Sequence, residues 1–275
     1  ENQLCQIIMK DELDKFIEYI NSHEVDLNSF APMSIFEATS AVSEFNKLQK
    51  MHYIDYAAIY GSFEILKYMI EKEVEIQPKT IMAATMSGNE NMIRLLEEHG
   101  ATVDFECVGY AIKYHRNNLA NNLIEKYSIP LTTQVLNLAI FCYNIEFVLK
   151  ITEFLSTNED AQENEEEEKF LNIPIFRSIE RKHSDILEYL FTFDQFYDIN
   201  KKHCDSFQLT MLLKAALSHN INACIIILNQ DGVDPDAADA KQRSCLDYLT
   251  VDEYNFLRPL FVRAKYHLLK EQGIE

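Results

Sequence analysis

The chain has 275 residues, 47% apolar and 25% charged, enough to bury a sizeable core in one repeat array or two small domains. Six glycines and six prolines are too few for the turns of a sheet-rich fold, and the glycines (61, 88, 100, 109, 232, 273) stand too far apart for a dinucleotide fingerprint or a phosphate loop. Lys plus Arg number 25 against 44 Asp plus Glu, a net charge of −19, which leaves no basic face for nucleic acid and repels an anionic membrane.

The longest apolar run, Ala223 to Leu228, is six residues, where a membrane span needs about 20. No secretory region opens the chain, which starts at Glu1 rather than Met and so leaves open that the native N-terminus lies upstream. With no N-x-Ser/Thr sequon either, the expectation is a soluble cytoplasmic protein, the nucleus remaining open. Cys5, Cys107, Cys142, Cys204, Cys224 and Cys245 are scattered without a C-x-x-C pair and read as small buried hydrophobes in a reducing compartment.

In chain order, the predicted elements are helix pairs. The clearest are 61–72, GSFEILKYMIEK, and 88–99, GNENMIRLLEEH, whose glycines are 27 apart, with a small residue (Ala57, Ala84) four positions before each. Carrying that frame backward puts breaks at Ser40 and Asp11; a continuous helix over about 34–49 serves as an alternative cap. Carrying it forward gives breaks at Arg116, Tyr143, Lys182, His219 and near Glu253, an array of about nine pairs. The first helix of a pair carries small or apolar residues (Ile54, Ala57, Ala58; Leu212, Ala215, Ala216). The second carries a helical stripe (Phe63, Leu66, Ile70; Met92, Leu95, Leu96; Ile186, Tyr189, Leu190). One such pair cannot bury its stripe alone, so neighbours must stack.

Residues 173–179, IPIFRSI, and 210–216, TMLLKAA, are similar to the ankyrin T-P-L-H-x-A signature, and Lys182–His183 stand where that pattern has Gly-His. The stretch 231–249, DGVDPDAADAKQRSCLDYL, looks like an ankyrin turn followed by the next signature, and His99–Gly100 end their helix in the same manner. The chain thus resembles ankyrin-repeat proteins, specifically the degenerate short-repeat kind of the large protist families, most strongly over 53–249. The resemblance implies an all-α, ankyrin-like helix-pair solenoid. Spacings of 27–28 fall short of the ankyrin period of about 33, so the hairpin fingers there should be truncated. The chain divides as 1–52, degenerate units or a cap; 53–155, short-period repeats; 156–169, an acidic insert; and 170–275, ankyrin-like repeats ending in a cap.

Residues 156–168, STNEDAQENEEEE, carry seven acids between Glu159 and Glu168. They fit an acidic docking tract for a basic partner or a solvated loop dispensable for folding. Elsewhere no chemistry assembles. None of the eight histidines makes H-E-x-x-H or zinc-finger spacing. His203, Cys204 and Asp205 are consecutive and cannot point at one another as a triad must. Asp234, Asp236 and Asp239 fail the EF-hand order at Ala238 and read as turn formers. The expectation is no enzyme, no cofactor and no metal site; the enzyme alternative is a helical hydrolase using a carboxylate or the Cys142 thiol.

Binding remains. The resemblance places partner contacts on the first helix, at the two positions before each break. The candidate partner-binding residues are Ile59, Tyr60, Met86, Ser87, Tyr114, His115, Phe141 and Arg181, with Cys142, Glu180, Leu217 and Ser218 at equivalent places. The expected function is a monomeric protein–protein interaction scaffold whose stripe Tyr60–Met86–Tyr114–Phe141 meets a protein partner, basic by complementarity to the net charge. The alternative is an internal structural or regulatory segment of a larger polypeptide with no external partner.

Overall fold

The computed structural model describes residues 3–32, 51–158, 170–203 and 206–273. Among them every regular element is a helix, and the one β contact is an isolated bridge between Phe30 and His52. The break at Ser40, the alternative helix over 34–49, residues 159–168 of the acidic insert and the pair Cys204–Asp205 lie outside the described residues. Ser156 and Thr157 belong to a helix.

The helices come in pairs. α1 (Gln3–Met9) precedes α2 (Leu13–Ser22), α3 (Tyr53–Tyr60) precedes α4 (Phe63–Glu71), α5 (Thr80–Ser87) precedes α6 (Glu90–Glu98), and α7 (Phe105–Lys113) precedes α8 (Asn117–Tyr127). The same build continues in α9 (Thr133–Phe141) with α10 (Ile145–Thr157), α11 (Asn172–Arg181) with α12 (Ser184–Leu190), and α13 (Met211–Leu217) with α14 (Ile221–Leu228). The last pair keeps only a 3-10 turn, Cys245–Asp247, before the long α15 (Val251–Glu271). Its break, expected near Glu253, falls before Val251. There Thr250 caps the helix by accepting the Glu253 N–H at 3.3 Å, while the Glu253 carboxylate accepts the Thr250 N–H at 2.8 Å.

Each pair turns in the same way. Asp11, Gly61, Gly88, His115, Tyr143, Lys182 and His219 all adopt left-handed backbone. In most turns the next N–H then folds back to a carbonyl five positions earlier, the Schellman closure. Ser62 reaches Ala57 at 2.9 Å, Arg116 reaches Ala111 at 2.8 Å, Asn144 reaches Ala139 at 2.8 Å, His183 reaches Ser178 at 3.0 Å and Asn220 reaches Ala215 at 2.9 Å. Each of these five acceptors is a small residue with no exposed surface. The residues that allow neighbouring helices to approach closely therefore also receive the turn. This geometry moves one expected break: His115, not Arg116, takes the left-handed conformation, because Arg116 supplies the closing N–H.

The chain forms two compact units, Glu1–Pro130 and Leu131–Glu275. In the first, α1, α3, α5 and α7 pack in sequence as an inner layer, with α2, α4 and α6 packed in sequence outside them. α1–α2 packs directly against α3–α4. In the second unit α9, α11 and α13 form the inner layer, and α10, α12, α14 and α15 the outer. This helix, left-handed turn, helix build is the all-α helix-pair repeat expected from the signatures at 173–179 and 210–216.

Polar clamps lock pair to pair. Inner-helix ends leave carbonyls without helical partners, and after four of the left-handed turns the next residue reaches across to one. The Ser62 hydroxyl donates to the Ile8 carbonyl at 2.5 Å, and Arg116 Nε to that of Met86 at 3.2 Å. Asn89 Nδ2 lies 3.5 Å from the Gly61 carbonyl, and Asn220 Nδ2 donates to that of Ile179 at 3.1 Å. On the opposite edge, Asp26, Asp198 and Asp234 each accept the N–H two residues on, at 2.9, 3.0 and 2.9 Å. Such Asx turns form the hairpin fingers. Asn28 links its finger to Glu75, and Asn200 links its own to Asp234. The short-period connections 72–79 and 99–104 hold no such Asx turn, which is the truncation the spacing predicts.

Candidate functional site

The inner layer of the second unit keeps one face open. Pro174, Ile175, Phe176, Ser178 and Ile179 of α11 are buried, which turns Ile173, Arg177, Glu180 and Arg181 outward at spacings of four, seven and eight. On α9 the same geometry exposes Phe141, and on α13 Lys214 and Leu217. Phe141, Ile173 and Leu217 are exposed by 40, 42 and 41%, so a large apolar side chain from each of three neighbouring helices meets solvent.

Their polar neighbours join these side chains into one surface. The Arg181 guanidinium lies over the Phe141 ring, 3.4 Å from its centroid, a cation–π stack between α11 and α9. Glu180 receives Arg177 Nη1 at 3.0 Å and Lys214 Nζ at 2.7 Å, which ties α11 to α13. At the edge of the face, where the helices turn, the Tyr143 hydroxyl donates a short hydrogen bond to the Asp185 carboxylate, and the His183 ring sits 4.7 Å from the Tyr143 ring. Partial burial would raise the Asp185 pKa, but the Tyr143 hydroxyl and the Ile186 N–H outweigh it and hold the carboxyl below its usual range. The same bond holds the Tyr143 hydroxyl protonated, its pKa raised. Burial lowers the pKa of His183, which is therefore neutral at physiological pH. A tyrosine kept protonated beside a carboxylate that accepts from it activates no nucleophile.

Of the eight candidate partner-binding residues, Phe141 and Arg181 are brought into contact here. In the first unit Tyr60 is half-buried against Tyr56, ring centroids 4.8 Å apart, and Tyr114 is half-exposed beside the exposed His115. Ser87 turns its hydroxyl onto the Ala84 carbonyl of its own helix at 2.8 Å. Ile59 and Met86, with 9 and 3% of their surface exposed, pack beneath this layer, so they support the face rather than form it. The sequence reading missed Ile173, Arg177 and Lys214; the outward spacing of Ile173, Arg177 and Glu180 was the signal available.

A second opening lies between outer helices α6 and α8 of the first unit. It is a groove of about 500 Å³ over Ile93, Leu119 and Leu123. Asn122 donates to Glu90 at 3.1 Å and Lys126 to Glu97 at 2.9 Å across it. Among the described residues no group of three or more His, Cys, Asp or Glu side chains is placed to hold a metal, and no helix is long and apolar enough to cross a membrane. Burial pushes the thiols of Cys107, Cys224 and Cys245 up to about 12, so they remain protonated at neutral pH.

A family model described as a domain of unknown function, DUF3447, matches residues 72–151. A search of curated proteins gives no match. Among solved structures, the chain is similar to the human ASB11 ankyrin repeat domain at 13% identity, covering 96% of this chain and 98% of that one, with a TM-score of 0.37.

Proposed function

We propose that this chain is a protein-interaction scaffold that uses the inner face of its helix-pair layers. The observation that carries this reading is the second unit's open face, where Phe141, Ile173 and Leu217 stay exposed beside the stacked Arg181. Aromatic, aliphatic and arginine side chains clustered on one surface have the composition of interface centres. Tyr60, Tyr114 and His115 extend the reading to the first unit's own inner face. The net charge of −19 favours approach of basic proteins at low salt, while contact chemistry is set locally by the side chains of the face. We read the chain as non-enzymatic, since burial keeps the Cys107, Cys224 and Cys245 thiols protonated and, among the described residues, the Tyr143–Asp185–His183 cluster holds its protons in place.

Affinity capture tests this, comparing wild type with a Phe141→Ala, Leu217→Ala variant of matched melting temperature. Loss of a captured protein from the variant is the expected result; identical captured sets would remove the assignment.

One observation favours a second reading, a segment that packs within a larger assembly. Val251, Val262, Tyr266 and Leu269 of α15 are exposed by 76, 62, 66 and 36%. Offsets of 11, 15 and 18 from Val251 place all four on one helix face. A surface of that kind is normally covered.

A further inference from the structure

We infer that the inner face of the second unit docks an acidic peptide segment of a partner protein, with Arg181 as the anchoring cation. The inference rests on the scaffold reading and names the chemistry of its partner.

Charge is sorted between the two layers of this unit. Inner helices α9, α11 and α13 carry Arg177, Arg181 and Lys214 against Glu180 alone. Outer helices α10, α12 and α14 carry Glu146, Glu153, Asp185 and Glu188 against Lys150, and α15 adds Asp252, Glu253 and Glu271 against Arg258, Arg263, Lys265 and Lys270, so the outer layer stays net acidic. Lys182, in the turn, and Asp185, at the start of α12, are both exposed at the margin and offset each other, so the inner face keeps the net positive charge of its helices. In a chain of net charge −19 this face has the opposite sign to the whole. At physiological salt, charges beyond about 8 Å are largely screened, so the local cluster decides what can lie on it.

Arg181 is prepared for a carboxylate. Its guanidinium lies over the Phe141 ring, 3.4 Å from the centroid, so the ring supports it from one side. It makes no hydrogen bond or ion pair with a described residue, and its in-plane N–H groups can meet a carboxylate with two parallel bonds. Arg177 and Lys214 already share one carboxylate, that of Glu180, so the face holds an acid in the manner proposed for the partner. Ile173 and Leu217, exposed on the same two helices as these cations, offer seats for apolar side chains.

Fluorescence anisotropy with the full chain tests this, using a labelled peptide of repeating Leu-Glu-Glu-Ala and its counterparts with Gln or Lys in place of Glu. The Glu peptide should bind and the other two should not. Arg181→Gln should weaken binding about tenfold or more, and Arg181→Lys should fail to restore it, since lysine lacks the planar fork. Glu180→Gln releases Arg177 and Lys214 and should tighten binding severalfold, a gain that loss of folding could not produce. Circular dichroism melts confirm that each variant is folded. Preference for the Lys peptide, indifference to Arg181→Gln, or binding of none of the peptides overturns the acidic segment. Binding that arises only when 159–168 is replaced by a Gly-Ser stretch also overturns it, and gives the face to the chain's own acids. If the Lys peptide binds and Phe141→Ala abolishes that binding, the scaffold reading stands without the acidic partner. If no peptide binds and affinity capture is also unchanged, both fall.

Discussion

Lys182 turns α11 into α12 at φ 59° and ψ 31°, a conformation that costs a residue with a Cβ about 1–2 kcal/mol. Its side chain is exposed, so replacement loses no packing. Lys182→Gly relieves that strain, while glycine's greater freedom in the unfolded chain takes back about 0.5–1 kcal/mol. The net expectation is a gain of up to about 1 kcal/mol, read as a higher urea midpoint at unchanged m-value. Gly88→Ala should do the reverse. Its φ is +82° and a Cβ would stand 2.8 Å from Arg116 Cδ, whose Nε is held by the Met86 carbonyl. A loss of at least about 1–2 kcal/mol is expected. Asn220 has two partners: Oδ1 accepts the Ala223 N–H at 3.2 Å, capping α14, and Nδ2 donates to Ile179 of α11 at 3.1 Å. Asn220→Ala should cost about 1–2 kcal/mol. Asn220→Asp keeps the cap but sets an oxygen against the Ile179 carbonyl. Thermal melts of the two variants separate cap from clamp: an Asp variant as stable as wild type would assign the whole effect to the cap.

At the scale of an element, the last finger turn is organised by one buried carboxylate. Asp239 accepts Arg243 Nε and Nη2 at 2.9 and 2.7 Å, the Tyr248 hydroxyl at 2.6 Å, and the N–H groups of Lys241 and Arg243 at 2.8 Å. Burial alone would raise its pKa; the hydrogen bonds of Tyr248 and Arg243 outweigh that and hold it well below the usual carboxylate range. A depressed folded pKa stabilises above the unfolded value and loses that stability as pH falls through the folded one. Melting temperature should therefore fall with pH below about 4. Asp239→Asn should melt lower at neutral pH and respond less to acid; an unchanged acid response would mean the clamp contributes nothing. That these acids form turns was legible in the sequence, because an Asp in such a stretch finds backbone N–H groups within a few residues. The breaks were legible for the same local reason, and the interval of 27 from Gly61 to Gly88 extends to His115 itself. Exposure was not legible. Ile59, Met86, Phe141 and Leu217 all stand two places before a left-handed residue, yet the first two are buried and the last two open. Register follows from the local pattern, whereas burial depends on how much side-chain volume the adjacent helices supply. Nothing within one repeat's sequence encodes that.

For the whole molecule the dominant electrostatic fact is 44 acids against 25 Lys and Arg. Such an excess repels itself most strongly when the chain is compact, so it opposes folding, and the opposition depends on how far the charges see one another. Raising salt from about 0.01 to about 0.1 M shortens that range from about 30 to about 10 Å. Many ion pairs in the protein are surface pairs such as Lys15–Glu12 and Arg94–Glu90, each contributing about 0–1 kcal/mol, too little to offset the loss of general repulsion. Melting temperature should therefore rise with sodium chloride over this range, and equally with choline chloride if ionic strength rather than a bound ion is the cause. Once repulsion is screened, further salt should weaken the acidic peptide's hold on the second unit's inner face while leaving the fold as stable or more so. The two responses separate because one reads the summed charge and the other a cluster of three cations around Glu180 and Phe141. A melting temperature that falls with added salt would show that specific ion pairs, not net repulsion, govern this protein's stability.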